Sequence, residues 1–205
     1  PLDAARLISA IAPNGGPIHW RVIGKDRPRN LCGTLEQCHA ELARWNAQGW
    51  GVYFVVNGGG TRKTEINQVR AAYVDFDEGM TRAELDNRLA RYLPPSAIVQ
   101  SSSKKWHIYW FLDDCPVEDI ELYSHYLREL VRALGGDAGA KDRSRVLRVP
   151  GYYHTKKEPV LSTLEECHAE RRYAWSTWCA WMASFVGPLP EQPKPVPPKP
   201  PTNES

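Results

Sequence analysis

Three short runs rich in β-branched and aromatic residues restrict the fold most: GVYFVVN at 51–57, AAYVDFD at 71–77 and KWHIYWFL at 105–112. Each reads as a strand, and further strands are expected at 17–24 (PIHWRVIG) and 97–101. Helix signals lie between them. Thr34 is placed to N-cap a helix over 34–48, with Gln37 closing a capping box; Thr81 and Glu84 repeat the pattern ahead of 81–92, which Pro94-Pro95 stops. Residues 117–134 form a long amphipathic stretch ended by Gly135-Gly136, and helices are also expected at 163–171 and 175–185. Strands mixed with helices in this way predict an α+β sheet domain.

The octamers TLEQCHAE (34–41) and TLEECHAE (163–170) nearly repeat each other. Adjacent Cys and His on a helix point ~100° apart and chelate poorly, so the match reads as two capped helices of like composition. Five Cys without a CxxC pair read as reduced thiols of a cytoplasmic protein. No apolar run is long enough for a membrane span, which leaves no membrane partner expected. Proline dominates 187–205, so this segment reads as an extended tail, either a disordered terminus or a linker to another domain, and the globular part as 1–186.

Net charge of +2 does not identify a nucleic-acid binder, so any basic footprint must be local. One such footprint exists: residues 141–157 hold six basic residues against one acid. Arg145 and Arg148, three apart, suit forked contacts to a triphosphate if the backbone turns or extends tightly between them. Asp137, after Gly135-Gly136, is a candidate third carboxylate. Asp142 is its rival, though its closeness to the arginines argues for an ion pair.

The acids that would need such company are Asp75 and Asp77. In Val74-Asp75-Phe76-Asp77 the strand period of two sends both carboxylates to one face and Val74 and Phe76 to the other. Two acids held side by side repel each other unless a cation or proton intervenes, and hard oxygen ligands suit Mg²⁺ or Mn²⁺. A solvated strand end would read the same way. Ser101-Ser102-Ser103-Lys104-Lys105 then forms a small-residue turn into the alternating strand that carries His107, Tyr109 and Phe111 on one face.

In this order and spacing the three elements resemble the archaeo-eukaryotic primase superfamily, in its primase-polymerase and plasmid or phage replication branch. The residues that carry the likeness are Asp75 and Asp77 in a hydrophobic frame, His107 on a strand after a small-residue turn, and Asp137, Arg145, Arg148, Pro150-Gly151 and Lys156 in sequence. Residues 52–60, ending in three glycines, match the strand and turn that precede the acids. The turn itself departs, since Ser103-Lys104-Lys105 replaces a glycine-containing form.

The resemblance implies an RRM-like antiparallel sheet with flanking helices, joined to an N-terminal αβ unit. It implies two divalent ions on Asp75, Asp77 and Asp137, and phosphate contacts from Ser101, Ser103, Lys105, His107, Arg145, Arg148 and Lys156. The activity implied is DNA-primase or polymerase chemistry: NTPs or dNTPs joined on a single-stranded DNA template, with a fused or separate helicase reached through the tail. A rolling-circle endonuclease on a similar sheet would need a His-hydrophobe-His motif, and the six His are scattered. A non-catalytic single-strand-binding module is the remaining alternative.

Overall fold

The computed structural model describes residues 1–155 and 158–186; Lys156 and the proline-rich 187–205 segment lie outside the described residues. In chain order the elements are α1 (Leu2–Ile11), β1 (Ile18–Ile23), β2 (Arg29–Gly33), α2 (Leu35–Ala47), β3 (Gly51–Val55), β4 (Ala71–Phe76), α3 (Arg82–Leu89), β5 (Ala97–Ser102), β6 (Lys105–Asp113), α4 (Ile120–Leu134), β7 (Val146–Arg148), β8 (Tyr153–His154), β9 (Val160–Leu161), β10 (Thr163–Cys167), β11 (Arg172–Ala174) and α5 (Trp175–Ala183). Both capping boxes form, Thr34 with Gln37 and Thr81 with Glu84. Gly135 ends α4 in the left-handed conformation, with φ of 68°.

Two sheets result. The first, ordered β2-β1-β3-β7, is antiparallel throughout; the second runs β10-β5-β6-β11, with β4 also paired to β6. The segment β4-α3-β5-β6-α4 is a split βαββα unit, and α1, β1–β3 and α2 form the N-terminal αβ unit. The α+β fold, an antiparallel sheet with flanking helices joined to that unit, is the one expected. β7 completes the first sheet from the C-terminal half of the chain, which places Arg148 beside the N-terminal unit.

The strand β6 is covered on both faces. Tyr109 meets Phe54 of the first sheet with ring centroids 6.5 Å apart, and Trp110 meets Trp178 of α5 at 6.2 Å. Burial of this aromatic surface, at about 25 cal/mol per Å² of apolar area, is what fixes β6 at the centre.

The helix expected over 163–171 is instead the strand β10, so the two near-identical octamers fold differently. The first keeps its Thr cap. The second follows a segment already held extended, in which Ser162 N–H donates to the Tyr152 carbonyl and accepts from Gly151 N–H at its own carbonyl. It then meets the open edge of β5, whose backbone groups pair with it. Asp3 of α1 accepts the Leu164 N–H, and Arg82 ion-pairs with Glu166. Tertiary pairing here overrides helix propensity. The strands β2, β8, β9 and β11 and the helix α1 were not expected. No helix among the described residues is long and apolar enough to cross a membrane, and all five cysteines are free thiols.

Candidate active site

β4 is buried along its whole length and delivers Asp75, 8% exposed, next to the exposed Asp77 at its end. Directly across from Asp75 on β6 stands His107, 5% exposed, with its Nε2 3.5 Å from Asp75 Oδ1. Burial, then repulsion from Asp77, raises the Asp75 pKa to about 6. Burial, then the positive charges of Arg148 and Arg145, pushes His107 down to about 3, so the imidazole is neutral. Its Nδ1 has no hydrogen-bond partner among the described residues.

The third carboxylate arrives through the two glycines after α4. A Cβ on Gly136 would sit 2.4 Å from Val74, so only glycine lets this loop pass against β4. The Asp137 N–H then donates to the Asp75 carbonyl at 2.8 Å. The Asp137 carboxylate accepts the Gly139 N–H at 2.9 Å and meets the Arg145 guanidinium at 3.5 Å. Arg145 also lies 3.8 Å from Asp75 Oδ2 and so bridges the two acids. Asp77 is held by Lys105, whose Nζ is 2.7 Å away. Asp142 fills neither expected role: its carboxylate caps a turn, accepting from the Ser144 N–H and hydroxyl.

Arg148 comes from the other sheet. Its Nη2 donates to the Tyr53 hydroxyl at 2.6 Å, and its guanidinium lies 4.6 Å from the centre of the Tyr53 ring. It is 6% exposed, and its Nη1 is buried without a partner among the described residues. Burial lowers its pKa.

These groups converge on one cleft of about 610 Å³, lined by Asp75, Asp77, Ser101, Ser103, Lys105, His107, Arg145 and Arg148 among others. That volume suits a nucleotide-sized ligand. Asp137 is not on its wall; it lines an adjoining hollow with Asp77 and Glu78. Lys156 lies outside the described residues. The cleft is also lined by Tyr53, Ser102, His154, Glu158 and Val160, which sequence reasoning did not single out. Tyr53 left a signal, since alternation in GVYFVVN puts it on the face opposite Val52 and Phe54. The two-residue strands that bring His154 and Val160 left none.

The donor chemistry at Asp75 and Asp77 fits a hard divalent cation. A buried carboxylate driven up to about 6 beside a second acid lacks sufficient positive charge. A three-ligand shell is not assembled: among the described residues no group of three or more His, Cys, Asp or Glu is placed to hold a metal ion. The pair therefore offers a partial shell, open to phosphate oxygens and water.

Residues 60–176 match the family model for the RepB DNA-primase N-terminal domain. A replication protein from Clostridium perfringens is 25% identical over 116 residues, 51% of this chain and 29% of that protein, so the chain spans less than a third of this relative. Among solved structures, the AEP domain of the cyanophage S-2L primase-polymerase superposes with a TM-score of 0.73 at 22% identity, covering 89% of this chain and 95% of that one. The catalytic domain of primase RepB′ in complex with initiator DNA superposes with a TM-score of 0.67 at 21% identity, covering 89% and 91%. At these identities the likeness is one of fold.

Proposed function

The chain belongs to the RepB DNA-primase N-terminal domain family, and we propose that, as a member of the archaeo-eukaryotic primase superfamily, it joins nucleotides on a single-stranded DNA template to make primers for plasmid, phage or mobile-element replication. One observation carries the reading. Asp75 and His107 from one sheet and Arg148 from the other meet in a single nucleotide-sized cleft.

In this reading the cleft binds an NTP or dNTP with its triphosphate between the two sheets. Arg145 and Arg148 neutralise the phosphates with forked contacts. The neutral His107 offers a ring nitrogen to a phosphate oxygen, and the Ser101 and Ser103 hydroxyls donate from the turn. The 3′-hydroxyl of the growing strand gives its proton to water as its oxygen bonds the α-phosphorus, the bond to the bridging oxygen breaks, and pyrophosphate leaves toward the arginines. Asp75 and Asp77 would hold Mg²⁺ or Mn²⁺, which supplies charge neutralisation of the reacting phosphates. Ligand binding would draw Lys105 from Asp77 and Arg145 from Asp137 onto phosphate, and Asp137 would then be free to join the pair around a second ion. Most of the rate would come from positioning and charge, as in other phosphoryl transfers. Lys156 is proposed as a further phosphate contact, and 187–205 as a linker toward a helicase.

The internal neutralisation of Asp77 by Lys105 and of Asp137 by Arg145 favours a second reading, a single-strand-binding module without chemistry. Labelled-nucleotide incorporation on single-stranded DNA with Mg²⁺ or Mn²⁺ separates the two. Template-dependent extension supports the transferase, and DNA binding without incorporation supports the module.

A further inference from the structure

Asn30, Arg21, Tyr53 and Arg148 form one row across the first sheet. Arg21 pairs with Asn30 on β2 and with Tyr53 on β3, and Tyr53 pairs with Arg148 on β7. Directly opposed residues of antiparallel strands share a face. All four side chains therefore leave the sheet on the side from which Tyr53 and Arg148 reach the cleft. The other face carries Trp20, Val22, Val52 and Phe54, all fully buried.

The row holds two guanidinium groups separated by an aromatic ring, and no carboxylate. Arg148 is fixed by Tyr53, as described. Arg21 is half-buried, its Nε is enclosed without a hydrogen-bond partner among the described residues, and no carboxylate there pairs with it. Strands lie about 4.8 Å apart, which puts Arg21 roughly 10 Å outward from Arg148. The nucleotide in the cleft occupies Arg148; a phosphate chain that leaves the cleft along the row meets Arg21 at its outer end.

We infer that this row carries the phosphodiester backbone of single-stranded DNA out of the cleft, with Arg21 as its outer phosphate contact. The inference rests on the template-directed reading above. Guanidinium forks match phosphate oxygens, and cations interleaved with rings are how single-strand grooves track a backbone.

The test is binding of fluorescently labelled single-stranded DNA, by anisotropy across a salt series, to the full chain and to Arg21→Ala, Arg21→Lys and Lys25→Ala. Loss of one single-strand phosphate contact lowers the slope of log affinity against log salt by about 0.7. Arg21→Ala is expected to bind several-fold more weakly with that lower slope, and Arg21→Lys to keep the slope. Lys25→Ala, an exposed charge on the turn beyond the row, is expected to match the native chain. Equal slopes for the native chain and Arg21→Ala, an equal loss in Lys25→Ala, or a loss confined to labelled nucleoside triphosphate overturns the inference. A native chain that binds no single-stranded DNA overturns the template-directed reading itself, and this inference with it.

Discussion

Asp75 and His107 are direct cross-strand partners on β4 and β6, with Nε2 3.5 Å from Oδ1, and burial moves both toward their neutral forms. Asp75 rises to about 6 and His107 falls to about 3. At neutral pH the carboxylate is charged and the imidazole is not. The cleft thus holds a buried anion that gains from any cation brought to it.

The first consequence concerns stability without metal. The folded Asp75 binds its proton more tightly than the unfolded chain does. That contribution is present below the unfolded value near 4 and is lost as pH rises through about 6. A shift of this size corresponds to up to about 3 kcal/mol. Asp75→Asn should therefore melt several degrees above the native chain at pH 8 in EDTA, with the gain gone at pH 4. Mn²⁺ should raise the Tm of the native chain and not of Asp75→Asn. Calorimetry showing the native chain more stable at pH 8 contradicts this.

His107 acts in the opposite sense. Its folded pKa lies below the unfolded value, so its contribution is complete above about 6.5 and declines as pH falls toward 3, partly offsetting Asp75. Its ring nitrogens should keep neutral-imidazole shifts from pH 8 to pH 5 in an NMR titration, with only the small displacement near pH 6 that the neighbouring Asp75 induces. Imidazolium shifts of both ring nitrogens above pH 5 would contradict a neutral His107.

Tyr53 sets the aim of Arg148. Tyr53→Phe keeps the ring under the guanidinium and deletes the 2.6 Å bond. A hydrogen bond to a charged group is worth about 1.5–3 kcal/mol, so steady-state incorporation should show kcat/KM for nucleotide falling about 10- to 100-fold. Arg148→Ala should lose more. An unchanged kcat/KM in Tyr53→Phe would mean that the stacking alone holds Arg148.

The β5–β6 turn carries backbone strain. Lys104 takes φ of 59°, in the left-handed region, while its carbonyl accepts the Met80 N–H at 2.9 Å. Lys104→Gly relieves the Cβ clash at some cost in unfolded-chain entropy, for a net gain of about 0.5–1 kcal/mol. A Tm that falls on this substitution would contradict the strain.

Much of this architecture was legible in the sequence because the signals were local. The caps at Thr34 and Thr81, the alternation in KWHIYWFL and the Gly135-Gly136 stop each depend on a few neighbouring residues. The failures are non-local. TLEECHAE becomes a strand because β5 offers an edge, and β2 forms because β1 does. At the site, Asp75, His107 and Arg148 were readable as motif residues. What holds them was not: Lys105 on Asp77, Arg145 between Asp75 and Asp137, and Tyr53 under Arg148 are all made by chain segments far apart in sequence.

In the proposed reaction Asp75 anchors nucleotidyl transfer in this cleft. The most direct measurement is labelled-nucleotide incorporation on single-stranded DNA with Mn²⁺ or Mg²⁺, comparing the native chain with Asp75→Ala, with DNA affinity measured on the same preparations. Template-dependent incorporation by the native chain is expected, with a loss of at least about 1000-fold in Asp75→Ala, as for a group at the reacting phosphates, and DNA affinity within a few-fold of native. Native-like incorporation by Asp75→Ala would contradict that anchoring role.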